Sequence, residues 1–222
     1  MREEIIKKTE KFLWNNLEKS IDFQGNTRRS VEYRFEHSWR VANIGRIIAK
    51  NEGFDEEKMV VACLLHDVGY ARELKDSEDY KNHGRYGAQI ARPFLHELGY
   101  SKAEVEEICY GIAIHVDDKA DFEFERTSFA MSVGDADNID RFDAYRLYEN
   151  LHFADYMNLP LKEQKEYLQK RISGLERLKK IEFATKTANK LWQAKIDFQL
   201  EFMRKLEGQA KNSTIDPMLE GN

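Results

Sequence analysis

The chain has 222 residues, 41% of them hydrophobic, which is enough for one substantial core. A net charge of −5 with 34% charged residues describes a well-solvated acidic surface. That balance excludes a general electrostatic grip on nucleic acid but leaves room for small phosphorylated ligands, which need only a few convergent cations.

The N-terminal MREEIIKKTEKF has no long apolar run, so no signal peptide is expected. No stretch approaches the ~18 uninterrupted apolar residues of a membrane span. A cytoplasmic protein without a membrane partner is the expectation. Cys63 and Cys109 both lie in helical apolar patterns and read as small buried hydrophobes rather than a disulfide framework.

Helical spacing runs through the whole chain, and period-two alternation is hard to find. Residues 3–18 form an amphipathic helix with Ile5, Ile6, Phe12, Leu13 and Leu17 near one side. The polar loop DFQGNTRRS follows, then a helix over 31–51 that stops at Gly53. Asp55 is a candidate N-cap for a helix over 56–67 that is apolar on nearly every side, which marks it as central. The charged ARELKDSEDYKN reads as a loop, leading to a helix over 84–98 with Pro93 expected to kink it. SKAE at 101–104 has capping-box spacing and opens a helix over 102–115. Another helix covers 128–138 and continues into DNIDRFDAYRLY. After Pro160, segments 161–182 and 184–207 read as a helical hairpin, and 208–222 as a mobile tail. The expected division is a main domain over 1–160 with the hairpin 161–207 packed on it. The hairpin is also a candidate for homo-oligomer formation or partner binding.

Four of the six histidines sit on apolar helical stripes. His37 shares a face with Val41, Ile44 and Ile48; His66 follows VVACLL; His83 shares a stripe with Gly87, Ile90 and Phe94; His115 stacks below Ile108, Gly111 and Ile112. One inward histidine is ordinarily a core residue satisfied by a hydrogen bond. Four together favour a shared metal, which satisfies several imidazoles at once. Asp67 directly follows His66 at the end of a buried helix and needs a strong partner there. Asp135 lies where the apolar run MSV meets polar sequence. A mixed nitrogen and oxygen set suits Mn, Fe, Co, Ni or Zn better than Mg or Ca. DADNID at 135–140 is not an EF-hand loop: its fifth position is Ile139, its sixth Asp140 and its twelfth Arg146. His96 and His152 read as surface residues or as supports behind the ligands.

His37, then His66-Asp67, then Asp135 resembles the H…HD…D signature of the HD superfamily of metal-dependent phosphohydrolases. HSWRVANIGRIIA, LLHDVGY and GDADNIDRF resemble the family's three motif helices, and the likeness spans roughly residues 31–150. The resemblance implies an all-α HD-domain helical bundle, here with a C-terminal helical hairpin. It implies a first metal on His37, His66, Asp67 and Asp135. As in two-metal members, it also implies a second metal on His83 and His115, bridged by Asp67. The chain departs from the HD-GYP branch in lacking the GYP signature and paired histidines at the fourth site, so one metal or two stays open.

A metal here would lower the pKa of a bound water for attack on phosphorus. Arg40, three residues after His37, and Arg141, six after Asp135, are candidates to cradle phosphate; Arg72 and Lys75 read as solvated charges. Asp137 and Glu73 are candidates for proton transfer, and Asp137 equally for orienting a ligand. The expected function is a phosphohydrolase or phosphodiesterase acting on a nucleotide or other small phosphate ester. The alternatives are an HD-type mixed-valent di-iron oxygenase and a non-catalytic HD regulatory module.

Overall fold

In the computed structural model, which describes residues 3–19 and 28–213, every regular element is helical. The α-helices are α1 (Glu3–Leu17), α2 (Arg28–Glu52), α3 (Glu56–Leu65), α4 (Ser77–Glu97), α5 (Lys102–Ile114), α6 (Ser128–Arg141), α7 (Ala144–Phe153), α8 (Leu161–Leu178) and α9 (Lys186–Lys211). Short 3-10 turns occupy Val68–Ala71 and Tyr156–Asn158. Part of the DFQGNTRRS loop, 22–27, and the end of the expected tail, 214–222, lie outside the described residues.

The local chemistry explains the helix ends. Asp55 caps α3 by accepting the Lys58 N–H at 2.9 Å, and Gly53 takes the left-handed φ of 75° that ends α2. Ser101 and Glu104 complete the expected capping box of α5. Besides an earlier start of α2, at Arg28, and an earlier end of α8, at Leu178, three boundaries differ from expectation for a visible reason. Asp76 accepts the Glu78 and Asp79 N–H groups, so α4 begins at Ser77 and absorbs the second half of the expected charged loop. The helix expected to run on from 128 into DAYRLY breaks after Arg141, because Asp143 caps a new helix by accepting the Ala144 N–H at 2.7 Å. Finally, α9 extends to Lys211, through the first residues of the expected tail. Pro93 is accommodated inside α4.

The described residues within 1–140 and 183–188 form one compact unit, and those within 141–182 and 189–222 form a second. The break expected at 160 therefore falls inside the second unit. In the first unit α3 is the central helix, packed against α1, α2 and α5. Met59 through Leu65 are almost fully buried, as its all-round apolar sequence requires. Each such leucine contributes about 2 kcal/mol by leaving water. Helix α4 packs on α5 and on the first 3-10 turn. In the second unit Trp192 is buried: its Nε1 donates to the Leu178 carbonyl at 3.0 Å, and Phe142 meets its ring edge-on at 4.9 Å.

Candidate metal centre

Five helices deliver side chains to one buried cluster in the first unit. His37 comes from α2, His66 caps the C-terminus of α3, Asp67 follows it, His83 lies in the second turn of α4, His115 caps the C-terminus of α5, and Asp137 comes from α6. All six are buried. Two helix C-termini, those of α3 and α5, thus meet the cluster, and that end of the helix dipole favours a cation.

Two glycines allow this convergence. A Cβ on Gly69 would lie 1.9 Å from the His83 carbonyl oxygen, so the turn after the His-Asp pair touches the backbone of α4. A Cβ on Gly84 would lie 2.7 Å from the Ala113 carbonyl oxygen, so α4 touches α5 next to His115. Both contacts are closed to any residue with a side chain.

The four imidazoles share one orientation. His66 Nδ1 donates to the Cys63 carbonyl and His115 Nδ1 to the Ile112 carbonyl, each at 2.7 Å; His83 Nδ1 donates to the Tyr80 carbonyl. His37 Nδ1 donates to Asp140 Oδ2 at 2.7 Å, and Asp140 Oδ1 accepts Arg40 Nε at 2.9 Å. With each Nδ1 occupied outward, each Nε2 faces the cluster. The Nε2 atoms of His37 and His66 are 3.3 Å apart, and those of His83 and His115 are 3.1 Å apart. Lone pairs facing each other at that range need a proton or a cation between them.

Asp67 faces both pairs. Its Oδ1 is 3.1 Å from His83 Nε2 and 3.6 Å from His115 Nε2. Its Oδ2 is 3.8 Å from His37 Nε2 and 3.6 Å from His66 Nε2. Asp137 Oδ1 adds a carboxylate 3.1 Å from His37 Nε2 and 3.8 Å from His66 Nε2. These donors form sets that could hold a metal: His37, His66 and Asp67; His66, His115 and Asp137; and Asp67, His83 and His115. The donor chemistry fits a divalent transition metal.

Electrostatics set the protonation states. Burial pulls the His66 pKa down to about 4, keeping its ring neutral. Burial also acts on His37, but the carboxylates of Asp137 and Asp140 outweigh it and lift the pKa to about 9. Burial opposes ionisation of Asp67 and Asp137, yet the surrounding imidazoles hold the first well below the usual carboxylate range and the second at about 2.

The structure thus brings His37, His66, Asp67, His83 and His115 together, but not Asp135. Asp137 stands where Asp135 was expected. Two residues on a helix are separated by about 200° of rotation, so the two aspartates face opposite ways. Asp135 Oδ2 instead accepts the Ala184 N–H at 2.9 Å, and burial raises its pKa to about 6. Arg40 is fastened to Asp140 and steadies His37. Arg141 is exposed and belongs to the second unit, and Glu73 is exposed on the segment after the 3-10 turn. Arg72 lies over the Tyr86 ring at 4.3 Å, away from any site role, and Lys75, His96 and His152 are exposed. Sequence reasoning missed two residues. Asp140 is the His37 acceptor. Arg34 Nη1 lies 3.4 Å from Asp67 Oδ2 with its guanidinium 3.1 Å from the Tyr70 ring centroid. Arg34 stands three residues before His37, the mirror of Arg40, and that spacing was the available signal.

A family model for the HD domain matches residues 34–144, half of the chain. The chain belongs to the HD domain family. Its HD domain contains all six cluster residues, with Arg34 at its first position. An uncharacterised protein of Clostridium beijerinckii is 28% identical over 116 residues, 51% of this chain and 68% of the relative. A solved structure of a predicted HD superfamily hydrolase from an uncultured Thermotogales bacterium shares the fold. Its TM-score is 0.60 at 19% identity, over 94% of this chain and 92% of that one. Among the described residues no helix is long and apolar enough to cross a membrane.

Proposed function

We propose that this HD-domain chain is a metal-dependent phosphohydrolase or phosphodiesterase acting on a nucleotide or another small phosphate ester. The observation that carries the reading is Asp67, whose two oxygens face two separate histidine pairs. His37, His66 and Asp137 would hold one ion, His83 and His115 a second, with Asp67 between them. Bound Mn, Fe, Co, Ni or Zn would supply a water of lowered pKa and polarise a phosphoryl oxygen.

The chain's own residues prepare the rest. Asp140 fixes the His37 ring through Nδ1, and Arg40 fixes Asp140. Arg34, packed on Tyr70 beside Asp67, presents a planar fork of donors suited to phosphoryl oxygens. Asp137, ionised beside His37, would offer its Oδ1 to the same ion as His37 and His66.

The test is a screen of phosphorylated metabolites, monoesters and diesters, with Mn and other divalent ions added. The expected result is metal-dependent phosphate release that Asp67→Ala abolishes and Arg34→Ala weakens mainly through KM. Release undiminished in Asp67→Ala would overturn the reading. The set of four imidazoles and two carboxylates also suits a di-iron oxygenase of the HD type, and tightly bound iron with substrate-dependent oxygen consumption would favour that second reading.

A further inference from the structure

The second unit contains a cavity of about 440 Å³ lined by three cations and by no acidic residue. Asn150 of α7 contributes one wall, and α8 contributes Tyr167, Lys170, Arg171, Gly174 and Arg177. Steps of three, four and seven from Tyr167 put Lys170, Arg171 and Gly174 on one stripe of α8, with Arg177 one turn further. Gly174 makes the hollow: a Cβ there would meet nothing nearer than Arg177 Nη2 at 4.0 Å. The Tyr167 hydroxyl closes one end by donating to the Asn150 carbonyl at 3.2 Å.

Several other cations of this unit meet carboxylates: Arg146 with Glu149, Lys179 with Asp197, Lys195 with Asp143, and Arg204 with Glu176. Lys170, Arg171 and Arg177 form no such pair among the described residues, and no acidic residue lines the cavity. Arg171 is half-buried, and its Nε is buried without a hydrogen-bond partner among the described residues. Three unneutralised cations around a hollow of ligand size are the complement of a multiply charged anion.

We propose that this cavity binds a small organic anion carrying a phosphate or polyphosphate group. The anionic end lies among Lys170, Arg171 and Arg177, and the organic part against Tyr167 and Leu178. None of these residues belongs to the metal centre, so the proposal stands or falls without it.

The probe is inorganic pyrophosphate, titrated calorimetrically into the full chain carrying Asp67→Ala, which removes the bridging carboxylate of the metal centre. The expected result is saturable binding that weakens about tenfold or more when Arg177→Glu is added. Arg177 is exposed, so its replacement leaves the fold intact. Gly174→Leu, which fills the hollow without removing charge, should weaken binding as well. Binding to both further variants as tight as to their parent would overturn the proposal, as would no binding by the parent at about 10 mM pyrophosphate. Loss in Arg177→Glu with retention in Gly174→Leu would also overturn it, since charge without a cavity would then suffice.

Discussion

Asp135 and Asp137 stand two residues apart on α6 and face opposite ways. Asp137 Oδ1 lies 3.1 Å from His37 Nε2, while Asp135 Oδ2 accepts the Ala184 N–H. The conservative changes Asp137→Asn and Asp135→Asn should therefore separate cleanly. The first is expected to lower bound metal sharply, because a donor oxygen loses its charge at the cluster. The second should leave metal content at the wild-type level. Elemental analysis of the two purified variants checks this, and the reverse pattern would return Asp135 to the site.

Asp135 also predicts a pH dependence. Burial raises its folded pKa to about 6, above the ordinary carboxyl value of 3.8. The folded chain then binds more protons than the unfolded chain between these values, so this group's contribution falls as pH rises through that window. Asp135→Asn, neutral throughout, should raise the thermal midpoint over wild type at pH 8, with the gain shrinking toward pH 4. Melting curves of both proteins across this range measure it; a gain that grows toward acid would contradict the sign.

His83 and His115 are expected to serve the second ion. Their Nε2 atoms face Asp67 Oδ1, away from the oxygen that serves His37 and His66. Changing either to Ala should leave about one ion per chain and reduce phosphoesterase turnover about tenfold or more. His96→Ala is the control, since His96 is exposed on α4. Identical metal content and turnover in all three variants would leave a single-metal site.

Gly69→Ala tests how the cluster is assembled. The new methyl would occupy the space of the His83 carbonyl, so α4 must move away from the turn after Asp67. Overpacking of this kind costs about 1–3 kcal/mol and would withdraw His83 from Asp67. Chemical denaturation should show the loss of stability, and metal analysis the preferential loss of one ion. Wild-type values in both measurements would mean that α4 is not held by this contact.

Much of this centre is legible in the sequence. His37, His66, His83 and His115 each lie on an apolar stripe, and burial of a stripe points an imidazole inward. The all-round apolar α3 announced the central helix, and Ser101-x-x-Glu104 its neighbour's cap. Asp137 was misjudged because Asp135 stands nearer the apolar run MSV. Helical phase decides the matter: Asp137 lies one and two turns below the buried Val133 and Ala130, while Asp135 lies below the half-buried Met131. Asp140 and Arg34 act through pairings between helices distant in sequence, which spacing on a single helix does not reveal. The early start of α4 was hidden in a run so charged that the Asp76 cap read as loop.

The most direct test of the account is the metal stoichiometry of the 222-residue chain, loaded with excess Mn or Fe, freed of unbound ion and measured against protein concentration. Two ions per chain are predicted, falling in Asp67→Ala, because the two oxygens of Asp67 divide between the two histidine pairs. A chain that retains fewer than two ions, or an Asp67→Ala variant that retains two, would contradict it.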